Sequence, residues 1–269
     1  MEAVFIIRLP SIVFRVLYRY LNVLDRHNQV IFMNYGYSEP GNNIPLDKKD
    51  EKNRYSVQLY HHMAEMTDME DKDVVEVGSG RGGGLAYISR KFRPASATGI
   101  DIERSAVSFS NKFHRHPKLS FMTGNARKLP LKDNSCDILL NIESSHRYSS
   151  MESFLREVHR VLRADGYFLF TDFREDDKWE ELKVLLNQSG FKVIDEKDIS
   201  SHILHSLEMD SDRRISLVKR YAPRILQKEI LNFTGSKGTA TFDNFSTGRF
   251  TYKSFKLKKN SVPVPSVKF

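Results

Sequence analysis

Residues 76–84 read EVGSGRGGG, and this short stretch decides the fold. It follows the β-branched run DVVEVG at 73–78 and precedes the helical pattern GGLAYISRKF at 83–92. Glycines between a strand and a helix permit a tight turn and let a ligand lie against the backbone. Amide groups at the start of the helix favour polar or anionic ligand groups. The stretch lacks the Lys-Ser/Thr ending of a P-loop, so a nucleoside triphosphate is not the expected ligand.

Two acidic residues, one at the start of this stretch and one after it, restrict the kind of ligand further. Glu76 stands two residues before Gly78, at the end of the strand. Asp101 ends the next apolar run, about 20 residues on, where a carboxylate can accept hydrogen bonds from both hydroxyls of a ribose. These features fit a dinucleotide site or an S-adenosylmethionine (SAM) site, and the rest of the chain has to separate the two.

Short apolar runs alternate with helical patterns through the middle of the chain. The predicted strands cover 73–78, 97–102, 119–125, 136–144, 166–173 and 192–198. Helical patterns between them indicate βαβ units and a parallel sheet that is covered on both faces. Residues 200–247 break the alternation and predict one or two helices followed by a loop rich in Gly and Thr. Residues 249–259 alternate again and predict a final strand.

Composition and charge restrict the function classes. The 269 residues carry a formal net charge of +8 without a visibly basic face, which favours a solvated basic surface over a site for nucleic acid or an anionic membrane. The single cysteine, Cys136, cannot form an internal disulfide and is typical of a reducing compartment such as the cytoplasm. No Cys/His cluster has the spacing of zinc ligands, so no metal is expected.

The first 24 residues are apolar but interrupted. Arg8, Pro10, Arg15 and Arg19 divide the run, which therefore lacks the roughly 20 nearly uncharged residues of a transmembrane helix. Arginines within and after the run, followed by bulky residues, do not fit a signal peptide either. Residues 11–24 instead predict an amphipathic helix. Two interpretations stay open: the helix packs on the body of the protein, or it has a functional role, in which it contacts a membrane peripherally or helps admit an apolar substrate.

Four motifs follow one another in a characteristic order: VVEVGSGRGGG, GIDI, GNARKLPLKDNSCDILL and REVHRVLRADGYFLFTDF. In this order they resemble the class I SAM-dependent methyltransferases. NYGY, NRYSVQLYHHMA, RGGGLAYISRKFRPAS and LNIESSHRYSSMESFLREVHRVL look like the phthiotriol and phenolphthiotriol dimycocerosate O-methyltransferase family. The resemblance implies an α/β Rossmann-like fold with a seven-stranded, mostly parallel sheet, an antiparallel last strand, helices on both faces and a helical lid insertion. It also implies SAM as cofactor, S-adenosylhomocysteine as product and a hydroxyl of a hydrophobic small molecule as acceptor.

The resemblance also suggests a division of the chain into five segments. These are an N-terminal amphipathic helix and lid segment (1–50), a SAM-binding Rossmann-like core (51–199), a helical substrate-lid insertion (200–247), the final strand of the core (248–259) and a flexible tail (260–269). The apolar residues of the insertion and the N-terminal helix form the roof of a substrate cavity in one interpretation. In the other, they only pack the insertion on the sheet.

Most of the implied site residues belong to the cofactor. Glu76 and the turn Gly78-Ser79-Gly80 would hold the methionine end of SAM, Asp101 the ribose, and Ile102 would pack on the adenine. The remaining implied cofactor residues are Asn125 and Ala126 of GNA, Asn141 at the end of the fourth strand, and Tyr35 of NYGY in a lid. Relatives often have Asp where Asn125 stands, and the amide oxygen can still accept a hydrogen bond from the adenine amino group.

The segment NIESSHRY leaves the end of the fourth strand, at the sheet edge where ligands bind in open α/β folds. An alcohol needs a base, and His146 is the best candidate because its ordinary pKa lies near neutral pH. Glu143 could orient His146 or take the proton through it. The alternatives are a structural or surface histidine and a salt-bridging or capping glutamate. Tyr37, Tyr148 and His202 are the predicted substrate contacts, whereas His61, His62, His114 and His116 are interpreted as structural or solvated.

Three functional hypotheses remain at this point. The leading one is O-methylation of a lipid or polyketide-like small molecule, with no nucleic-acid partner. The second keeps the fold but methylates carbon or nitrogen of an isoprenoid, sterol-like or amine acceptor. The third is a non-catalytic or nucleic-acid-directed protein, which is disfavoured because NIES replaces the Asn/Asp-Pro-Pro-Tyr motif of nucleic-acid amino-methylases. A cytoplasmic protein, either free or associated with a membrane, is expected.

Overall fold

The computed structural model describes Asp25 and residues 28–260. In this part of the chain seven strands form one sheet in the order β3-β2-β1-β4-β5-β7-β6. The strands are β1 (Asp73–Val77), β2 (Ser96–Asp101), β3 (Leu119–Thr123), β4 (Cys136–Ile142), β5 (Leu162–Glu175), β6 (Phe191–Asp198) and β7 (Phe250–Lys259). Strands β1 to β5 pair in parallel, whereas β7 lies antiparallel between β5 and β6. The predicted fold, including the antiparallel last strand, is confirmed.

The helices connect the strands and add a separate group before the last strand. They are α1 (Arg54–Ala64), α2 (Gly83–Lys91), α3 (Arg104–Phe113), α4 (Met151–Val161), α5 (Lys178–Gln188), α6 (Ser200–Tyr221), α7 (Gln227–Thr234) and α8 (Ala240–Ser246). None of the helices in residues 28–260 is long and apolar enough to cross a bilayer. The predicted helix at 11–24 and the tail after Asn260 lie outside the described residues, so both stay predictions.

Alternate residues of the central strands pack into two different hydrophobic clusters, as the period of two in a strand requires. Val74 faces a cluster that contains α1 and α2, and Val75 faces a cluster that contains α4 and α5. In β4, Leu140 and Leu139 divide in the same way, and both are fully buried. The sheet therefore has a core on both faces, which leaves the ends of its strands as the place for a ligand.

Two boundaries differ from the sequence interpretation. The stretch expected to be a Gly- and Thr-rich loop contains α8, because the side chain of Thr239 caps its first turn and Phe245 buries its apolar face. Strand β5 begins at Leu162, four residues before the predicted strand start at 166. The pairing of Cys136 with Leu162 and of Ile138 with Tyr167 accommodates this early start through a bulge.

Candidate active site

A cavity of about 330 Å³ opens at the edge of the sheet where the parallel strands end. The register aligns these ends, since Val77 pairs with Ile100 and Ile142 pairs with Thr171. The predicted site residues that line the cavity are Tyr35, Gly78, Ser79, Gly80, Asp101, Ile102, Asn125, Ala126, Glu143, His146 and Tyr148. Segments far apart in sequence therefore meet at one opening.

The glycine turn forms the floor of the cavity at the end of β1. Gly78 has a φ of +82°, and a Cβ at this position would lie 2.0 Å from the Oγ atom of Ser144. Such a contact is far too short, so the backbone conformation and the close approach of the Ser144 loop both require glycine. The turn therefore presents bare backbone to the cavity, because a Cβ at Gly78 would clash with Ser144 Oγ.

Asp101 ends β2 and faces the same turn. Its Oδ2 atom accepts a hydrogen bond from the Gly80 amide at 2.7 Å, and its Oδ1 atom accepts one from the Glu103 amide at 2.8 Å. Burial raises the pKa of Asp101, and these two amides oppose the rise. Next to it, Ile102 is 57% exposed, which is unusual for a large apolar side chain. A carboxylate acceptor and a bare aliphatic surface thus stand side by side.

Glu76 is fully buried beneath the turn and is not part of the described cavity wall. Its Oε1 atom accepts a hydrogen bond from the Tyr60 hydroxyl at 2.7 Å. The other oxygen, Oε2, has no hydrogen-bond partner among residues 28–260. Burial raises the pKa of Glu76 to about 8, although the Tyr60 hydroxyl lowers it in part. The side chain can therefore accept a cationic ligand group as it loses its proton.

Asn141 is buried behind the same wall, at the end of β4. Its Nδ2 atom donates to the Val77 carbonyl at 2.8 Å and to the Tyr148 hydroxyl at 2.9 Å. Within the described chain, neither Asn141 Oδ1 nor Ser79 Oγ has a hydrogen-bond partner. Buried polar atoms are nearly always satisfied, so these unpaired atoms around one turn are available to a polar ligand.

Asn125 lies on the exposed side of the cavity rim. Its Oδ1 atom accepts a hydrogen bond from the Arg127 amide at 2.9 Å, which closes a local turn. An amide oxygen has two lone pairs, so a second acceptor position remains for a ligand donor. Ala126 follows it and is half-buried next to the same opening.

His146 lies on the opposite side of the cavity and pairs with a residue that the sequence interpretation missed. Its Nδ1 atom lies 2.8 Å from Asp172 Oδ1, and its amide donates to Asp172 Oδ2 at 2.9 Å. Burial would raise the pKa of the fully buried Asp172, but the charge and hydrogen bond of His146 lower it to about 2. An ionised Asp172 accepts the Nδ1 proton, which makes Nε2 the basic nitrogen of the ring.

Glu143 has different hydrogen-bond partners from the one predicted from the sequence, His146. The carboxylate that orients His146 is Asp172, whereas Glu143 Oε2 accepts hydrogen bonds from the Tyr35 amide and the Tyr252 hydroxyl, both at 2.9 Å. Burial raises the pKa of Glu143 to about 8. Its φ of +50° is rare for a residue with a side chain and marks a backbone held by its surroundings.

Tyr35 connects the N-terminal segment to the helices of the insertion. Its carbonyl accepts hydrogen bonds from Arg214 Nη2 and Ser206 Oγ, both at 2.9 Å. Arg214 is itself paired with Asp210 at 3.0 Å. The Tyr35 ring packs on Phe173, whose ring lies 4.6 Å from that of His146. One buried network thus joins the segment around Tyr35, α6 and the His146 side of the cavity.

Tyr37 and His202 lie elsewhere, outside the described cavity wall. Their rings stack on each other with centroids 4.8 Å apart, and Tyr37 also stacks on His62 at 4.6 Å. The contact joins the N-terminal segment to the start of α6. No group of three His, Cys, Asp or Glu side chains among the described residues could hold a metal ion.

Comparisons with known proteins place this chain among enzymes that transfer methyl groups. The family model described as "Methyltransferase domain" matches residues 75–170. The chain is 40% identical over 220 residues to the fatty-acid O-methyltransferase of Mycolicibacterium smegmatis, covering 81% of this chain and 80% of the relative. It is 34% identical over 235 residues to the phthiotriol/phenolphthiotriol dimycocerosates methyltransferase of Mycobacterium tuberculosis, covering 87% of both chains.

Solved structures agree on the fold. The [4+2]-cyclase SpnF superposes with a TM-score of 0.70 at 19% identity, covering 92% of this chain and 94% of SpnF. Geranyl diphosphate C-methyltransferase from Streptomyces coelicolor superposes with a TM-score of 0.63 at 13% identity, covering 91% and 96%. These two neighbours carry out different reactions, so the likeness shows the fold alone.

Proposed function

The chain belongs to the methyltransferase family of these mycobacterial relatives, and from that premise we propose that it methylates a hydroxyl oxygen of a hydrophobic small molecule. The acceptor is a lipid or polyketide-like compound, and SAM is the methyl donor. When bound, SAM supplies a methyl group that its sulfonium already activates for displacement. The protein then has to align the acceptor oxygen with that methyl group, remove the hydroxyl proton and keep water out.

The unpaired atoms around the glycine turn support SAM as the ligand. Glu76 Oε2, Asn141 Oδ1 and Ser79 Oγ have no hydrogen-bond partner in the described residues, and all lie next to the turn. They suit the cationic amine of the methionine moiety. The Asp101 carboxylate suits the ribose hydroxyls, and the 57% exposed side chain of Ile102, next to Asn125 and Ala126, suits the adenine ring.

The observation that carries the proposal is that His146, which lines the same cavity, pairs with the fully buried Asp172. A hydroxyl hardly ionises at neutral pH, so transfer to it benefits from a base at the reacting oxygen. Asp172 fixes the imidazole with Nδ1 protonated, and Nε2 can then take the hydroxyl proton. Asp172 remains ionised throughout and stabilises the imidazolium that forms.

Glu143 acts in this proposal as a positioning residue. It holds the backbone of Tyr35 and the hydroxyl of Tyr252, and Tyr35 in turn packs on the ring beside His146. Residues 200–247 serve as the lid, because α6 binds the segment around Tyr35 through Arg214 and Ser206. Tyr148 lines the cavity, whereas Tyr37 and His202 stack outside its described wall and attach the N-terminal segment to the start of α6.

The test is a transfer assay with methyl-labelled SAM. The purified protein is offered long-chain fatty acids, long-chain alcohols and a total lipid extract, and mass spectrometry identifies the labelled atom. Label on a hydroxyl oxygen of a lipid is the expected result. Label on a fatty-acid carboxylate, which is already ionised at neutral pH, would keep O-methylation but contradict the role of His146 as the base. Label on carbon or nitrogen would keep the cofactor assignment but contradict O-methylation and the role of His146.

A further inference from the structure

The connection between α6 and α7 forms an exposed corner of the molecule, and we call residues 219–228 the basic corner. They read KRYAPRILQK, with four cations and no acidic residue. All four cations are exposed, and none of them forms an ion pair within the described chain: Lys219, Arg220, Arg224 and Lys228. By contrast, Arg213 and Arg214 earlier on α6 both pair with Asp210. A locally basic surface is thus present, although the sequence shows no basic face over the chain as a whole.

Ile225 lies at the tip of the basic corner. It is 86% exposed, the largest exposed fraction among the large apolar residues of the described chain. It belongs to a short 3-10 turn, Arg224–Leu226, that follows Pro223. Gln227 Nε2 donates to the Ala222 carbonyl at 3.1 Å and thereby ties the two sides of the turn together. An ordered turn therefore holds this apolar side chain in solvent.

The apolar side chains beneath the corner pack inward. Val218, Tyr221 and Ile230 are buried and form a small hydrophobic cluster, against which Val30 of the segment before α1 also packs. This cluster attaches the corner to the body of the protein. An apolar core is thus close by, and the turn directs Ile225 away from it, toward the same solvent that surrounds the four cations.

We propose that the basic corner docks on the surface of a bilayer that contains anionic lipids, with Ile225 at the boundary between head groups and acyl chains. The cations attract the anionic head groups, and the apolar tip leaves water as it enters the boundary. Each Lys or Arg close to such a surface strengthens binding by about fivefold. The inference goes beyond the proposed function and does not depend on which atom is methylated.

A nucleic acid is the other polyanion that a basic surface attracts, and the corner fits it less well. Surfaces that bind single-stranded nucleic acid offer aromatic side chains on which the bases stack. Tyr221, the aromatic residue of the basic corner, is buried, and the exposed tip is the aliphatic Ile225. A bilayer matches both the charge and the apolar tip, whereas a nucleic acid matches only the charge.

The contact is tested with a tryptophan at the tip of the full chain, Ile225→Trp. The chain has one tryptophan of its own, Trp179, which is buried and should not respond. Emission is recorded with vesicles of phosphatidylcholine alone and of equal parts phosphatidylcholine and phosphatidylglycerol. It should shift to shorter wavelength with the anionic vesicles and stay unchanged with phosphatidylcholine. Met209→Trp is the matched control, because Met209 is on α6 outside the corner and is 58% exposed, and its emission should not shift.

The role of charge is tested by sedimentation with the same vesicles. The double variant Arg220→Glu, Arg224→Glu should lower the partition coefficient onto the anionic vesicles by about twentyfold or more. The double variant Lys112→Glu, Lys192→Glu makes the same change in net charge at exposed positions on α3 and β6, so it should lower partition much less. An unchanged unfolding temperature shows that each variant is folded.

Four results would overturn the proposal. The first is anionic vesicles that leave the emission of Ile225→Trp unchanged, and vesicle binding in that case would assign the contact to another part of the chain, such as the predicted helix at 11–24. The second is an equal shift in Met209→Trp, and the third is an equal loss of partition in the two double variants. The fourth is binding of polyuridylic acid that is tighter than binding to the anionic vesicles, which would assign the corner to nucleic acid.

Discussion

The two sides of the main cavity are built in different ways. The cofactor side consists of strand ends and the turn that follows β1, so its groups come from short, contiguous motifs. The His146 side is assembled by contacts across long sequence separations: Asp172 is 26 residues from His146, and Tyr252 is 109 residues from Glu143. We infer that the first side recognises SAM, whereas the second removes the proton and positions the acceptor. Variants on the two sides should therefore affect different measured quantities.

The largest effect expected on the cofactor side comes from Gly78→Ala. The added Cβ would meet Ser144 Oγ at 2.0 Å in a backbone conformation with a φ of +82°. Clash and left-handed strain together should lower SAM affinity by about a hundredfold or more. Equilibrium titration with SAM measures this loss. Gly41→Ala is the control, because Gly41 has a φ of +83° but no atom within 4 Å of the added Cβ, and it should leave SAM affinity unchanged.

Asp101→Ala should have the next largest effect, again on SAM affinity. It removes a charged acceptor for the ribose and also the partner of the Gly80 amide. Hydrogen bonds to charged groups contribute about 1.5–3 kcal/mol, which corresponds to about a tenfold to hundredfold loss. The turnover rate at saturating SAM should fall much less. A variant with normal SAM affinity would contradict the placement of the ribose.

Tyr252→Phe tests the other side with a smaller change. Removing the hydroxyl takes one of the two hydrogen bonds from Glu143 Oε2, so turnover should fall by about tenfold or less while SAM affinity is kept. Steady-state kinetics separate kcat from KM. Tyr221→Phe is the control: the Tyr221 hydroxyl has no hydrogen-bond partner in the described residues, and its loss should not lower turnover. Equal losses in both variants would remove the positioning role of Glu143.

The smallest effect is a proton released when SAM binds. Burial raises the pKa of Glu76 from 4.5 to about 8, so the folded protein holds an extra proton between these values and loses stability as pH rises through them. A cationic amine next to Glu76 lowers that pKa and releases up to one proton near pH 7. Calorimetry in buffers of different ionisation enthalpy measures the release. The same release in Glu76→Gln would mean that another group supplies the proton.

The sequence predicts the turn and the strand ends of the SAM side because these features are encoded by short, local motifs. The turn, Asp101 and the strand order follow from motifs and alternation, and the fold they predict is confirmed. Asp172 was missed because its role depends on the register of β4 with β5, in which Ile142 lies opposite Thr171. The motif TDF at the end of the fifth predicted strand could have indicated Asp172, because the ends of parallel strands meet at one edge of the sheet.

The sequence does not predict the partners of Glu143 or the location of Tyr37, because both depend on contacts between distant segments. Glu143 follows the end of a strand, where a ligand-binding residue is expected. Its Oε2 atom instead accepts hydrogen bonds from the Tyr35 amide and the Tyr252 hydroxyl, which come from distant segments. Tyr37 is two residues from Tyr35, yet it stacks on His62 and His202 outside the described cavity wall. Which residues of the segment before α1 face the cavity depends on packing between elements, and single-sequence patterns do not encode it.

The most direct test of the division between the two sides is Asp172→Asn, assayed for both SAM affinity and turnover at saturating SAM. The amide places a donor opposite His146 Nδ1 and favours the tautomer with Nε2 protonated, which cannot act as a base. Turnover should fall by about a hundredfold to ten-thousandfold, with SAM affinity unchanged within about twofold. Unchanged turnover on a lipid hydroxyl, or a parallel loss of SAM affinity, would contradict the account.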